Sequence, residues 1–194
     1  MKSYSLGLDL SSAFDEEPGY HGTTWVSLES GELHTDRPVP GALNNFLQGV
    51  RGIVADEDLK GCNHGSAYMR VIDASNPENY MCWHIDNQDG GVRFSTAIST
   101  DGVGVNLAWP DDPSVVGKKV IDTDYRLSTQ PDNGDIVVFT TEPHGVLPLQ
   151  PRLGERTAVF FVTMYESREK ADLYTCNNTV TPHQHATLPS LSTS

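Results

Sequence analysis

From Ser66 onward the chain is a succession of short β-like segments: YMRVIDA, YMCWHID, RFSTAIST, GVNLAW, KKVIDTDY, DIVVFTT, HGVLPL and RTAVFFVTMY. Turn residues (Gly, Asp, Asn and Pro) stand between them. Strands this short must find partners far away in sequence, and eight of them in a row predict a β-sandwich or a jelly roll. The 17 glycines and 12 prolines fit that reading, as does a hydrophobic fraction of 37%. One segment departs from it. In VPGALNNFLQGVRGIVADEDLKG, Pro40 suits a first helical turn. Leu43, Phe46, Leu47, Val50 and Ile53 fall on one helical stripe, so an amphipathic helix is predicted to lie against the outside of a sheet. The first forty residues read as irregular, with short strands such as TTWVSLES. The chain is read as one domain over 1–174 with its core at about 66–165, followed by a polar tail at 175–194 that frays or wraps the surface.

A net charge of −13 argues against general affinity for nucleic acid or for an anionic membrane, since both are held by basic patches. It is compatible with a cationic substrate, but an acidic, solvated surface explains it better. Cys62, Cys82 and Cys176 show no CxxC spacing, which predicts neither a zinc motif nor a disulfide framework and makes a reducing cytoplasm the default. MKSYSLGLDLSS has too short an apolar stretch for a secretion signal, and no run reaches transmembrane length.

The segment CWHIDNQDGG carries the chemistry. On a strand, residues two apart share a face, so His84 and Asp86 point the same way and Ile85 points oppositely. Alone, this spacing is better explained by a surface turn. A third ligand is available in His144, which follows the apolar strand DIVVFTT in a region that a jelly roll folds back beside an early strand. Two imidazoles and one carboxylate on one side of an ion leave other positions open, which suits non-heme Fe(II) better than a closed zinc site. Arg156 opens the most apolar strand and shares a face with Ala158 and Phe160. It stands either at an exposed strand end or aimed inward at a carboxylate. Arg152 competes with it, although its Pro–Gly turn context favours solvent. Tyr68 and Arg70 share a face and either line a pocket or pack as ordinary surface. Thr96, Asn106 and Trp109 are further pocket candidates, and Met81 and Trp83 are read as core. His183 and His185 lie in the polar tail, while His21, His34 and His64 show no partner pattern.

The ordered set WHIDN, NGDIVVFTTEPHGVLPL and GERTAVFF resembles the Fe(II)/2-oxoglutarate-dependent oxygenases, and within them the prolyl-hydroxylase-type sequences. The resemblance covers about residues 68–165. It implies a double-stranded β-helix (a jelly roll) with the helix near 41–58 buttressing the larger sheet. His84, Asp86 and His144 would ligate Fe(II), and Arg156 would bind the distal carboxylate of 2-oxoglutarate. Thr157 would assist it, although the family's Arg-x-Ser is here Arg-Thr-Ala. The presence of Asp86 argues against the halogenase branch. The implied reaction consumes 2-oxoglutarate and O2, yields succinate and CO2, and hydroxylates an unactivated C–H bond. Asn87 and Gln88 would lie beside the open coordination positions and touch the substrate.

The compact chain favours a small-molecule substrate, such as a free or carrier-bound amino acid, over a protein side chain. Two rival readings remain open at this point. One is a cupin-like metalloenzyme that does not use 2-oxoglutarate. The other is a non-catalytic jelly-roll binding module. Oligomeric state is not legible.

Overall fold

The computed structural model describes residues 2–22, 25–35, 37–57, 59, 61–75, 91–101, 107–116, 125–129, 134–140, 143–146, 152–175 and 184–187. Over these residues the chain is mainly antiparallel β-sheet with few helices. In chain order, β1 (Lys2–Tyr4) leads into a 3-10 turn at Ser11–Asp15, then β2 (Gly19–Gly22), β3 (Trp25–Ser27) and β4 (Glu32–Thr35). Next come α1 (Gly41–Asp56), β5 (His64–Asp73), β6 (Val92–Ser99), β7 (Leu107–Pro110), β8 (Tyr125–Thr129), β9 (Ile136–Phe139) and β10 (Gly145–Val146). The chain continues through β11 (Arg156–Tyr165), α2 (Arg168–Thr175) and β12 (Gln184–Thr187).

Nine strands form the main sheet in the order β1-β9-β6-β11-β5-β3-β4-β12, with β2 also paired to β5. A second sheet runs β10-β7-β8. The segment RTAVFFVTMY, rich in β-branched and aromatic residues, becomes β11 and is paired along its length to β5 on one side and β6 on the other. The crossing of β5 and β11 is close. A Cβ on Gly65 would stand 1.9 Å from the Thr163 carbonyl oxygen, so only glycine fits there.

The predicted helix forms, and its apolar stripe covers one face of the main sheet. Leu43, Phe46, Leu47 and Val50 are fully buried against Met69, Phe94, Phe160 and Val162. The Phe46 and Phe160 ring centroids are 5.6 Å apart. Each such side chain contributes about 1.5–3 kcal/mol by leaving water, which anchors α1 without a side-chain cap at its N-terminus.

The C-terminal end adds two elements. REKADLYT forms α2, which lacks a long apolar stripe and was not legible from periodicity. Residues 184–187 of the polar tail add an edge strand, β12, that pairs antiparallel with β4. Among the described residues, no helix is long and apolar enough to cross a membrane.

Candidate functional site

The two faces of the main sheet differ in chemistry. The α1 side carries almost purely apolar side chains. The opposite face is set by the register Tyr68–Phe161–Ser95–Val137 in one cross-strand row and Ser66–Thr163–Arg93–Phe139 in the next. Thr157, Ser99 and Ile72 continue that face on the other side of the first row. Ser66, Ser95, Ser99, Thr157 and Thr163 are all buried there. Hydroxyls and arginines are poor material for a dry core, because each buried polar group must find a hydrogen-bond partner. They are ordinary material for the wall of a ligand site.

His144 belongs to this side. It immediately precedes β10, is only 3% exposed, and stands in an aromatic corner. Its ring lies 4.6 Å from Phe139 and 6.5 Å from Trp109, centroid to centroid. Trp109 meets Phe139 edge-on at 5.7 Å, and these two rings pack with Val137 as an apolar cluster separate from the α1 core. Gly145 pairs with Ala108 in the second sheet, which carries His144 beside Trp109. A buried imidazole held by two aromatic rings is shielded from water.

The remaining predicted residues distribute as follows. Tyr68 and Arg70 lie on the His144 side of β5. Tyr68 stacks on Phe161 at 5.5 Å. Arg70 lies over the Tyr20 ring at 4.6 Å and donates to its hydroxyl at 2.9 Å. Thr157 is on the same face. Arg156 is on the other face. It shares the α1 side with Ala158 and Phe160, and its Nη1 donates to the carbonyls of Phe14 (2.6 Å) and Glu16 (2.9 Å) at the 3-10 turn. Thr96 pairs with Phe160 on the α1 side and is buried there. Arg152 is exposed, as its turn context predicts. His84, Asp86, Asn87, Gln88 and Asn106 lie outside the described residues. Among the described residues, no group of three or more His, Cys, Asp or Glu side chains is placed to hold a metal ion. His34 and His64 pack around Trp25, and His21 bonds the Glu17 carbonyl.

The structure adds a residue that the sequence reading passed over. Arg93 sits directly across from Phe139, the ring that touches His144. Its guanidinium lies 4.3 Å over Phe161, and Nη1 donates to Thr163 Oγ1 at 2.7 Å. The signal was present in RFSTAIST, where Arg93, Ser95, Ala97 and Ser99 alternate with Phe94, Thr96 and Ile98. The polar and small half is the site-facing one.

No family model matches the chain, and no curated protein does. Among solved structures it is similar to the crystal structure of a Pseudomonas putida prolyl-4-hydroxylase, at 16% identity and a TM-score of 0.42. The match covers 69% of this chain and 72% of that one.

Proposed function

We propose that the protein is an Fe(II)- and 2-oxoglutarate-dependent oxygenase that hydroxylates a small molecule, with a jelly-roll core formed by the two sheets. One observation carries the reading: a buried histidine, His144, packs on Phe139, whose strand belongs to the sheet face that carries Ser66, Ser95 and Thr163, opposite the apolar α1 core. The strand order supports the same conclusion. β9-β6-β11-β5 in one sheet and β10-β7-β8 in the other is the alternation produced when a chain winds back and forth between two sheets.

His144 would hold the iron with His84 and Asp86, and its shielded imidazole fits that role. The donor set of two imidazoles and a carboxylate is the one that suits non-heme iron with open positions. An iron held there would supply the O2 chemistry that couples decarboxylation of 2-oxoglutarate to succinate and CO2 with hydroxylation of a C–H bond. The chain's own contribution is positioning and exclusion of water. Trp109 and Phe139 fix the His144 ring and keep solvent from it. Ser66 and Thr163 offer hydroxyls to the polar groups of a bound molecule, while Tyr68 and Phe161 offer a stacked aromatic floor.

Anaerobic protein mixed with Fe(II) and 2-oxoglutarate is expected to develop a weak visible charge-transfer band that His84→Ala and His144→Ala abolish. If the band never forms and no succinate accumulates with any substrate pool, the oxygenase reading fails. Metal binding without 2-oxoglutarate binding would favour a cupin-like enzyme. Binding of neither would favour a non-catalytic module.

A further inference from the structure

We infer that the cleft between the C-terminal half of α1 and the turn after β3 binds a free aliphatic amino acid, as a second ligand site on the α1 side of the main sheet. The inference does not depend on the reading of the His144 site.

The cleft measures about 360 Å³ and is lined by Leu28, Glu29, Arg51, Val54, Ala55 and Asn63. That is the lower end of the range for small-molecule sites, about 300–1,000 Å³. Its floor is apolar and fixed. Leu28 and Val54 are buried and belong to the same core cluster as Val26 and Phe46. The Leu28 amide donates to the Asn63 carbonyl at 2.8 Å, which ties the end of β3 to the start of β5. Glu29 stands in a tight turn closed by the Gly31 amide on the Ser27 carbonyl at 2.8 Å, with Gly31 at φ 75°. The cleft therefore has hydrogen-bonded backbone on one side and a packed helix on the other.

The charges carry the assignment. Arg51 is half-buried, and Nη2 donates to the Glu29 carbonyl at 3.5 Å, the outer limit of such a bond. A guanidinium has five N–H donors, so most of its fork is left for another acceptor. The Glu29 carboxylate is not that acceptor, although Glu29 lines the same cleft. Among the described residues, neither charge has an ion-pair partner. Opposite charges that line one cleft without pairing match a ligand that carries both signs. The α-carboxylate of an amino acid takes the Arg51 fork, its ammonium takes the Glu29 carboxylate, and the Asn63 amide bonds either end. The aliphatic side chain lies on Leu28, Val54 and Ala55. A plain anion meets the Glu29 charge and a plain cation meets the Arg51 charge, so each half of the ligand binds worse alone than the whole.

Calorimetric titration of the full chain with no metal added tests this. The probes are L-valine, L-leucine, isocaproate (leucine without its ammonium) and isoamylamine (leucine without its carboxylate). Leucine or valine is expected to bind, and each half-molecule to bind more weakly than leucine by about tenfold or more. Arg51→Met and Glu29→Gln are each expected to weaken the amino acid by about tenfold to a hundredfold, the scale of a lost charge-assisted bond. His144→Ala is expected to change nothing. Ala55→Phe fills the cleft from an exposed helical position and leaves both charges in place, so it is expected to abolish binding. Circular dichroism verifies the fold of each variant. If neither amino acid binds wild type at about 10 mM, the inference is overturned. Isocaproate binding as tightly as leucine would make the cleft an anion site and overturn the ligand class. If His144→Ala removes binding while Arg51→Met retains it, the amino acid occupies the His144 site and the second site falls. Should Arg51→Met or Glu29→Gln not fold, Ala55→Phe decides, and undiminished binding there overturns the inference.

Discussion

At the scale of single residues, Arg156 shows where the sequence reading reached its limit. Alternation along RTAVFFVTMY correctly puts Arg156, Ala158 and Phe160 on one face. A strand buried on both faces has two insides, however, and period-two patterning cannot say which of them holds the site. The guanidinium is committed to the carbonyls of Phe14 and Glu16, so Arg156→Met should cost stability by about 1–3 kcal/mol, the penalty for leaving partly buried acceptors unsatisfied. Urea unfolding measures the loss. An unchanged midpoint would mean that water replaces the guanidinium without cost, and would detach the 3-10 turn from the sheet energetically. Cys62 is the second residue with a definite expectation. Burial, then the Glu166 charge, then Lys170 in the opposite sense, leave its thiol above the ordinary cysteine range. The thiolate is the reactive form, so alkylation of Cys62 by iodoacetamide in native protein at pH 8 should be far slower than in urea. Peptide mapping reads it, and equal rates in the two conditions would contradict the burial.

At the scale of elements, α1 was legible almost to its ends because a long amphipathic stripe has one reading. The short strands were legible in type and approximate place. β1 was not, since three residues carry no period. It is held by contacts instead of by pattern. Lys2 Nζ lies 2.6 Å from Glu57 at the C-terminal end of α1, and β1 pairs with β9 at the sheet edge. The Lys2 hydrogen bond, followed by Tyr4, holds the Glu57 carboxyl below the usual carboxylate value. The same Glu57 contact raises Lys2. A depressed carboxyl stabilises the fold above its unfolded pKa, and that contribution disappears as pH falls through the depressed folded value. A raised lysine stabilises below its unfolded pKa and is lost as pH rises through the raised one. The tie between strand and helix should therefore hold through the neutral range and loosen at both extremes. Lys2→Met should be slightly less stable than wild type at pH 7, and the difference should vanish once acid has protonated Glu57. A difference that persists at low pH would assign the effect to packing of the lysine stem. Exposed pairs of this kind are weak, so the useful quantity is the convergence with pH.

At the scale of the molecule, the fold depends on its last long strand. β11 lies between β5 and β6, so the main sheet has no continuous centre until Tyr165 has been made. Both walls converge on it: Phe160 and Val162 complete the α1 core, and Phe161 and Thr163 floor the proposed site. β12 is different. Among the described residues it pairs with β4 alone, at the edge of the sheet. A chain that stops at residue 155 should fail to fold, showing no cooperative urea transition. A chain that stops at residue 175 should keep the fold and its ligand binding while losing about 1–3 kcal/mol, because edge hydrogen bonds are partly replaced by water. That contrast tests the hierarchy directly. If removing residues 176–194 abolished folding, the tail would be part of the core despite its polar sequence. If it left stability untouched but changed ligand binding, the tail would reach the site face from the sheet edge. The expected middle outcome separates the two functions of the sheet: β11 makes the site possible, and β12 covers an edge that would otherwise be open to pairing with other chains.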